Sequence, residues 1–449
     1  MPSEEQLLQA AVAFQRFGLG PKRAGLRAIA DDARGALLEE LDRPARARIR
    51  VRALPSYEEA GAIGTQLFPQ QQEVFLAEQT AKLSLQLRTP IGFLERLVMF
   101  WSNHFNMSVE KKGQIRAMVG QYERDVIRAG LTGRFSTMLR RTVTHPAMIC
   151  YLDNADSIGP NSPAGQYWHA GLNENLAREL MELHTVGVGG GYTEQDVGNL
   201  AKVLSGHSYV RGWEVDNGYE PESKRGQYQF HETWHEPGRH RVLGYRPANN
   251  SRQLPRMLDH LATLPQTAQH IAYKLVAHFL TDDPTPELVD PVARAFLDSE
   301  GDLKETARAL VMLPEAWTLP MAKFRTPQEL LIAQARALGQ EWLEDDLWRV
   351  QEFLKALGHY PWHWWTPDGY PDETDHWLSP NGMRVRADAI QMTTWALMQR
   401  QEPGKTPIRL ANSVLGPRMS RITRTRIRDT RNELEAFSIL FLSPEFQRR

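Results

Sequence analysis

The chain has 449 residues, of which 41% are hydrophobic and 24% charged, with a formal net charge of −1. That balance supports a buried core and gives no global pull toward nucleic acid or an acidic membrane surface. The only cysteine is Cys150, which excludes an intrachain disulfide and a cysteine-based zinc site within one chain.

The chain starts MPSEEQLLQAAVAFQRFGLG, with no basic region followed by a long apolar run. No stretch has the length of apolar residues needed to span a bilayer. As it stands, the sequence predicts a cytoplasmic chain; a leader removed from it would imply export instead. Helical spacing then dominates. Apolar residues recur every three or four positions over 22–48, 70–107, 112–141, 173–186, 193–205 and 255–281. The same holds over 287–312, 326–339, 343–357, 382–400 and 430–443.

The loops are well marked. Residues 153–171 are rich in Gly, Pro, Asn and Ser. GVGGGYT, 187–193, ends one helix at Gly187 and starts another with Thr193 as N-cap. From 206 to 247, aromatic and β-branched residues alternate with polar ones, as in SYVRGWEV and GQYQFHETW. Residues 358–380 are dense in Pro and Trp and read as a long ordered loop. The expected fold is therefore mainly α. It is one large multi-helix unit over 1–449, with a small β-hairpin or irregular insertion at 206–247 beside the 173–186 helix.

NENLARELMELH, 173–184, concentrates the chemistry. At about 100° per residue, Asn175, Arg178, Glu179 and Glu182 share one stripe, while Leu176, Leu180 and Leu183 face the core. His184 falls opposite the carboxylates, so an unbroken helix cannot bring Glu179, Glu182 and His184 to one ion. Glu179 and Glu182, three residues apart, repel unless a partner compensates. Arg178, a cation or a shared proton could be that partner. The competing reading is a solvated helix face with an intrahelical Arg–Glu pair.

LVMFWSNHFNMS, 97–108, sets Trp101, Asn103 and His104 in an apolar, aromatic helix. A polar group there needs a partner: a core hydrogen bond, or a role as ligand or base toward the 173–186 helix. FHETWHEPGRHRVLG, 230–244, carries His231, His235 and His240. In an extended segment His231 and His235 lie about 13 Å apart, too far for one ion. The tryptophans of YPWHWWTPDGYPDETDHW, 360–377, either stack on a flat ligand or pin the loop. The basic run RMSRITRTRIR, 418–428, reads as a solvated patch. P-loop, dinucleotide, HExxH and GxSxG motifs are absent.

These stretches, in this order, resemble the bacterial family known as domain of unknown function 1800. The resemblance rests on RFGLGP, FWSNHF, HPAMICYLDN, NENLARELMELHTVGVGGGYTEQDV, HEPGRHRVLG, YKLVAHFLTDDP, FRTPQELL and LSPEFQRR. It spans almost the whole chain and implies a mostly helical fold, without an established activity to carry over. Members of that family are often exported and often encoded beside proteins resembling the alkaline phosphatase and sulfatase group. The resemblance therefore implies a partner of that kind, by association only. The motif positions it carries over are Trp101, Asn103, His104, Asn173, Asn175, Arg178, Glu179, Glu182, His184 and His235, with Gly238 and Gly244 for backbone shape. Three positions depart from the pattern: Glu236 replaces Asp, His240 replaces Lys, and His207 stands where Trp is usual.

Two functional expectations follow. The first is a hydrolase-type enzyme with a carboxylate–histidine site, acting on an envelope or polysaccharide-type substrate. Glu179, Glu182, Arg178 and His104 would be catalytic. Asn103, Asn173, Asn175 and Trp101 would bind substrate. A divalent metal ion, if used, would sit on Glu179, Glu182, His104, His184 and His235. Carboxylates on one helix, however, lie on the same side of a substrate, which fits poorly with a pair flanking a glycosidic bond. The second is a non-catalytic binding or assembly protein whose polar stripe is a structural salt-bridge network.

Overall fold

The computed structural model describes residues 1–66, 68–339, 346–398 and 406–449. The fold is mainly α-helical, and its one sheet among the described residues is a two-stranded antiparallel pair. Several helical runs read as continuous from the sequence are in fact broken. The 70–107 run divides into Phe68–Arg88 and Phe93–His104. Pro90 removes a backbone donor there, and Gly92, at φ +97°, opens the second helix. The 255–281 run divides at Pro265, and the 287–312 run at Gly301, φ +76°. The 22–48 and 112–141 runs are likewise interrupted. In each case both pieces bury apolar side chains, so the spacing carries through the break. Of the expected helices, 343–345 and 399–400 lie outside the described residues. Pro407–Leu415 and Arg421–Asp429 are helices that the spacing did not single out.

Thr193 caps its helix as expected. Its hydroxyl accepts the Asp196 amide (3.2 Å), and the Asp196 carboxylate accepts the Thr193 amide (2.9 Å). The insertion holds less β structure than its alternation implied. His207–Tyr209 and Tyr228–Phe230 pair as strands, with Ser208 opposite Gln229, and Val242 and Tyr245 form one isolated bridge. SYVRGWEV turns into the short helix Gly212–Asp216, and HETW into a 3-10 turn at Glu232–Trp234. The insertion packs on the 154–168 segment through Asn154, whose amide reaches the Leu204 and His207 carbonyls (3.1 and 2.8 Å).

Among the described residues three helices contain a π turn: Ala13–Phe17, Glu123–Arg128 and Leu180–His184. Such a turn closes hydrogen bonds five residues apart, so side chains at that spacing meet. Glu123 and Arg128 do so at 3.0 Å. They belong to a buried chain of charges: Lys82 to Glu123 (2.5 Å), and Arg128 to Glu95 (2.6 Å).

Among the described residues two clusters of buried apolar side chains form the interior, and Tyr360 packs against both. Ions also join them. Arg96, beside Leu97 and Val98 of the first cluster, pairs with Glu329, beside Leu330 and Leu331 of the second. The last residue, Arg449, donates to Glu329 (2.8 Å) and to the His278 carbonyl (2.6 Å). Removing the anion would strand two buried guanidinium groups. Glu329→Gln is therefore expected to cost about 3–5 kcal/mol, read as a lower midpoint in urea unfolding.

Candidate functional site

The site is built where the proline- and tryptophan-rich loop docks on the helices. The loop is ordered, as its composition implied. Asn103 clamps it by donating to the Tyr370 carbonyl (2.8 Å) and accepting the Tyr370 amide (2.7 Å). The Asn106 amide holds the Trp364 and Thr366 carbonyls (3.2 and 2.7 Å). The Tyr151 hydroxyl donates to the Trp365 carbonyl (3.0 Å). Trp362 and Trp377 are buried by this docking, whereas Trp365 stays 66% exposed. Gly369 makes the approach possible. It has φ +81°, and a Cβ there would run into the Asn103 backbone oxygen. Gly369→Ala is expected to destabilise by about 1–3 kcal/mol, measured as a shift in the denaturant midpoint at unchanged slope.

The docked loop brings Asp368 within electrostatic reach of Glu179 and Tyr151. One Asp368 oxygen, Oδ1, accepts from Trp364 Nε1 (3.2 Å) and from the Thr366 hydroxyl (2.5 Å). Glu179 is half-buried, and among the described residues its carboxyl has no hydrogen-bond partner. Burial pushes that carboxyl up, and Glu182 and Asp368 push it further, against Arg178 and Lys111. Lys111 also holds Asp153 (2.8 Å) and lies 5.2 Å from the Tyr151 ring centroid.

The rest of the stripe is satisfied. Arg178 pairs with Glu194 (2.7 Å), Glu182 (3.4 Å) and Glu174 (3.8 Å). Asn173 Oδ1 accepts the Asn175 amide (3.0 Å) at the helix start.

Behind the loop lies Lys274, on the helix Pro265–Phe279. Its ammonium has no hydrogen-bond or ion-pair partner among the described residues. Burial lowers its pKa, and Asp372, Asp368 and Glu373 draw it back. Three histidines feel its charge: His104, His184 and His270. The His104 ring centroid is 5.9 Å from that of His184 and 6.2 Å from that of His270. Among the described residues His184 has no partner at either ring nitrogen, and His104 has none at Nδ1. One turn on from Lys274, His278 Nδ1 meets Asp372 Oδ1 at 2.7 Å. Burial lowers His278 to about 3 despite the pull of Asp372. Burial alone would raise Asp372, but His278, Lys323 and Arg449 hold it well below the usual range.

The expected site residues thus separate. Glu179 lies within electrostatic reach of Asp368, and His104 and His184 lie inward within reach of Lys274. His184 remains on the inner side of its π turn, buried and away from the carboxylates. His235 is elsewhere: its ring bonds the Ser205 carbonyl (2.9 Å) and Gln253 (3.0 Å). The five residues read as metal ligands do not converge. Among the described residues no group of three or more His, Cys, Asp or Glu is placed to hold an ion. Two residues read as substrate-binding make structural contacts. Trp101 is 2% exposed and packs on Phe105 and Phe135. Asn103 spends its amide on the loop. Sequence reasoning missed Lys274, His270, His278, Asp368 and Asp372. Lys274 and His278, four apart in the otherwise apolar YKLVAHFL, were the one visible signal.

The fold defines a mainly helical protein in which a docked loop brings carboxylates near a buried lysine and histidines. Among the described residues no helix is long and apolar enough to cross a membrane. The chain belongs to the family described as protein of unknown function (DUF1800), which it matches over residues 12–448. No curated protein and no solved structure matches it.

Proposed function

We propose that this chain is a hydrolase that cleaves a polysaccharide-type envelope polymer, with Glu179 as proton donor and Asp368 as the opposing carboxylate. The observation that carries the reading is the pair itself. A half-buried, unpartnered Glu179 with a raised pKa stands near a carboxylate from a different segment. This removes the objection to Glu179 and Glu182, which share one side of a helix. Glu179 gives its proton to the glycosidic oxygen as that bond breaks. Asp368, through its Oδ2, takes a proton from the water that attacks the anomeric carbon. Lys274 supplies a cation beside Asp368, and the exposed Trp365 ring offers a face for a sugar. An envelope substrate presupposes an exported form. A partner of the phosphatase or sulfatase group, acting on charged polymers, fits the same pathway.

The test is release of reducing ends from a panel of bacterial envelope polysaccharides and peptidoglycan. The wild type is expected to release them and Asp368→Asn to lose that release at unchanged melting temperature. No release from any member, or full activity in the variant, overturns the reading.

The ion pairs of Arg178 favour a second reading for the outer stripe, as a structural network rather than a site. They are about one third exposed at Arg178, so each contributes little. Glu182→Gln is expected to lower stability by about 1 kcal/mol or less, by thermal melt, with reducing-end release retained. Loss of release at full stability would instead return Glu182 to the catalytic set.

A further inference from the structure

We propose that a second cavity, between the Arg23–Arg27 segment and the helix Pro407–Leu415, binds an organic phosphate. The cavity measures about 310 Å³, the size of small-ligand sites. Among the described residues, Arg23, Arg27 and Arg409 line it and no carboxylate does. None of the three guanidinium groups has a hydrogen-bond or ion-pair partner among the described residues. Arg178, Arg225 and Arg308, also on the surface, each hold carboxylates. Three unanswered cations around one concavity repel each other and focus a positive field into it. An anion bound there relieves that repulsion.

Two features narrow the ligand. Guanidinium forks match the paired oxygens of phosphate and carboxylate. Three positive charges ask for more than one negative charge, which a phosphate monoester carries near neutral pH and a simple carboxylate does not. The floor is apolar, formed by Leu7, Leu26 and Leu410. A less polar body attached to the phosphate fits there better than inorganic phosphate alone. The two walls are tied together, since the Ser413 hydroxyl accepts the Ala24 amide (3.0 Å). The rim is basic too: Arg424 donates to Asn412, itself a lining residue, at 3.0 Å.

The site stands independently of the Glu179 reading. It is tested by titrating the full chain with phenyl phosphate, inorganic phosphate and phenylacetate at matched ionic strength, by calorimetry and thermal shift. Phenyl phosphate is expected to bind saturably and tighter than the other two. Arg27→Ser and Arg409→Ser should each weaken it about tenfold. Both side chains are exposed, so the unliganded melting temperature should hold or rise as repulsion falls. Three results overturn the proposal: no saturable binding of phenyl phosphate, binding unchanged in both variants, or phenylacetate binding as tightly as phenyl phosphate.

Discussion

Between pH 7 and pH 5 the protein is expected to lose most of its stability. The cause is a set of buried histidines. Burial lowers His145, His184, His207, His278 and His359 to about 3, and His104 well below its ordinary value. In the unfolded chain each titrates near 6.5. Below that pH the unfolded state binds protons that the folded state refuses, so stability falls as pH falls. Each such histidine approaches a slope of about 1.4 kcal/mol per pH unit well below pH 6.5. Integrated from pH 7 to pH 5, six together cost roughly 11 kcal/mol, comparable with the whole stability of a typical domain, about 5–15 kcal/mol.

Some groups oppose this. Burial raises Glu40, Glu78 and Glu179, so protonating them favours the folded state as pH approaches their raised values. They are fewer, and their unfolded-state titration lies lower. Carboxylates held down by cations, Asp372 and Glu123 among them, lose their contribution only at more acid pH. Urea midpoints at pH 7, 6 and 5 check the balance. A steep fall below pH 6.5 is expected; constant midpoints to pH 5 would mean that these histidines are solvated or paired.

Glu179→Gln is expected to reduce polymer cleavage by about 10²–10⁴-fold, the usual contribution of a general acid. The fold should tolerate it. Among the described residues Glu179 has no hydrogen-bond partner to abandon, and the glutamine amide is nearly isosteric with a protonated carboxyl. The variant should match or exceed wild-type stability, because repulsion from Glu182 and Asp368 disappears. Paired measurements of reducing-end release and melting temperature separate this from a structural role. A structural role would lower both together.

The helical class was legible because period and capping are local. Thr193 with Asp196 three residues later, and Gly187 at φ +81°, are sequence signals that structure repeats directly. Helix breaks were harder. Around Gly92 and Pro265 the apolar spacing continues because both neighbours face one core. The candidate site was half legible. Glu179 stood out through its crowded helix, yet its partner did not. Asp368 lies 189 positions away in a loop whose place depends on Asn103, Asn106 and Tyr151. Such contacts have no period to read. His104 and His184 were visible as polar residues in apolar helices. Their relation to Lys274 is a tertiary fact, created by the helix Pro265–Phe279.

The most direct measurement is the titration of the Glu179 carboxyl by carbon-13 NMR of glutamate-labelled protein, assigned by its loss in Glu179→Gln and repeated in Asp368→Asn. The coupled pair predicts a titration above the ordinary glutamate range in the wild type, which moves down when Asp368 is neutralised. An ordinary titration in the wild type, indifferent to Asp368, would contradict the pair and with it the catalytic account.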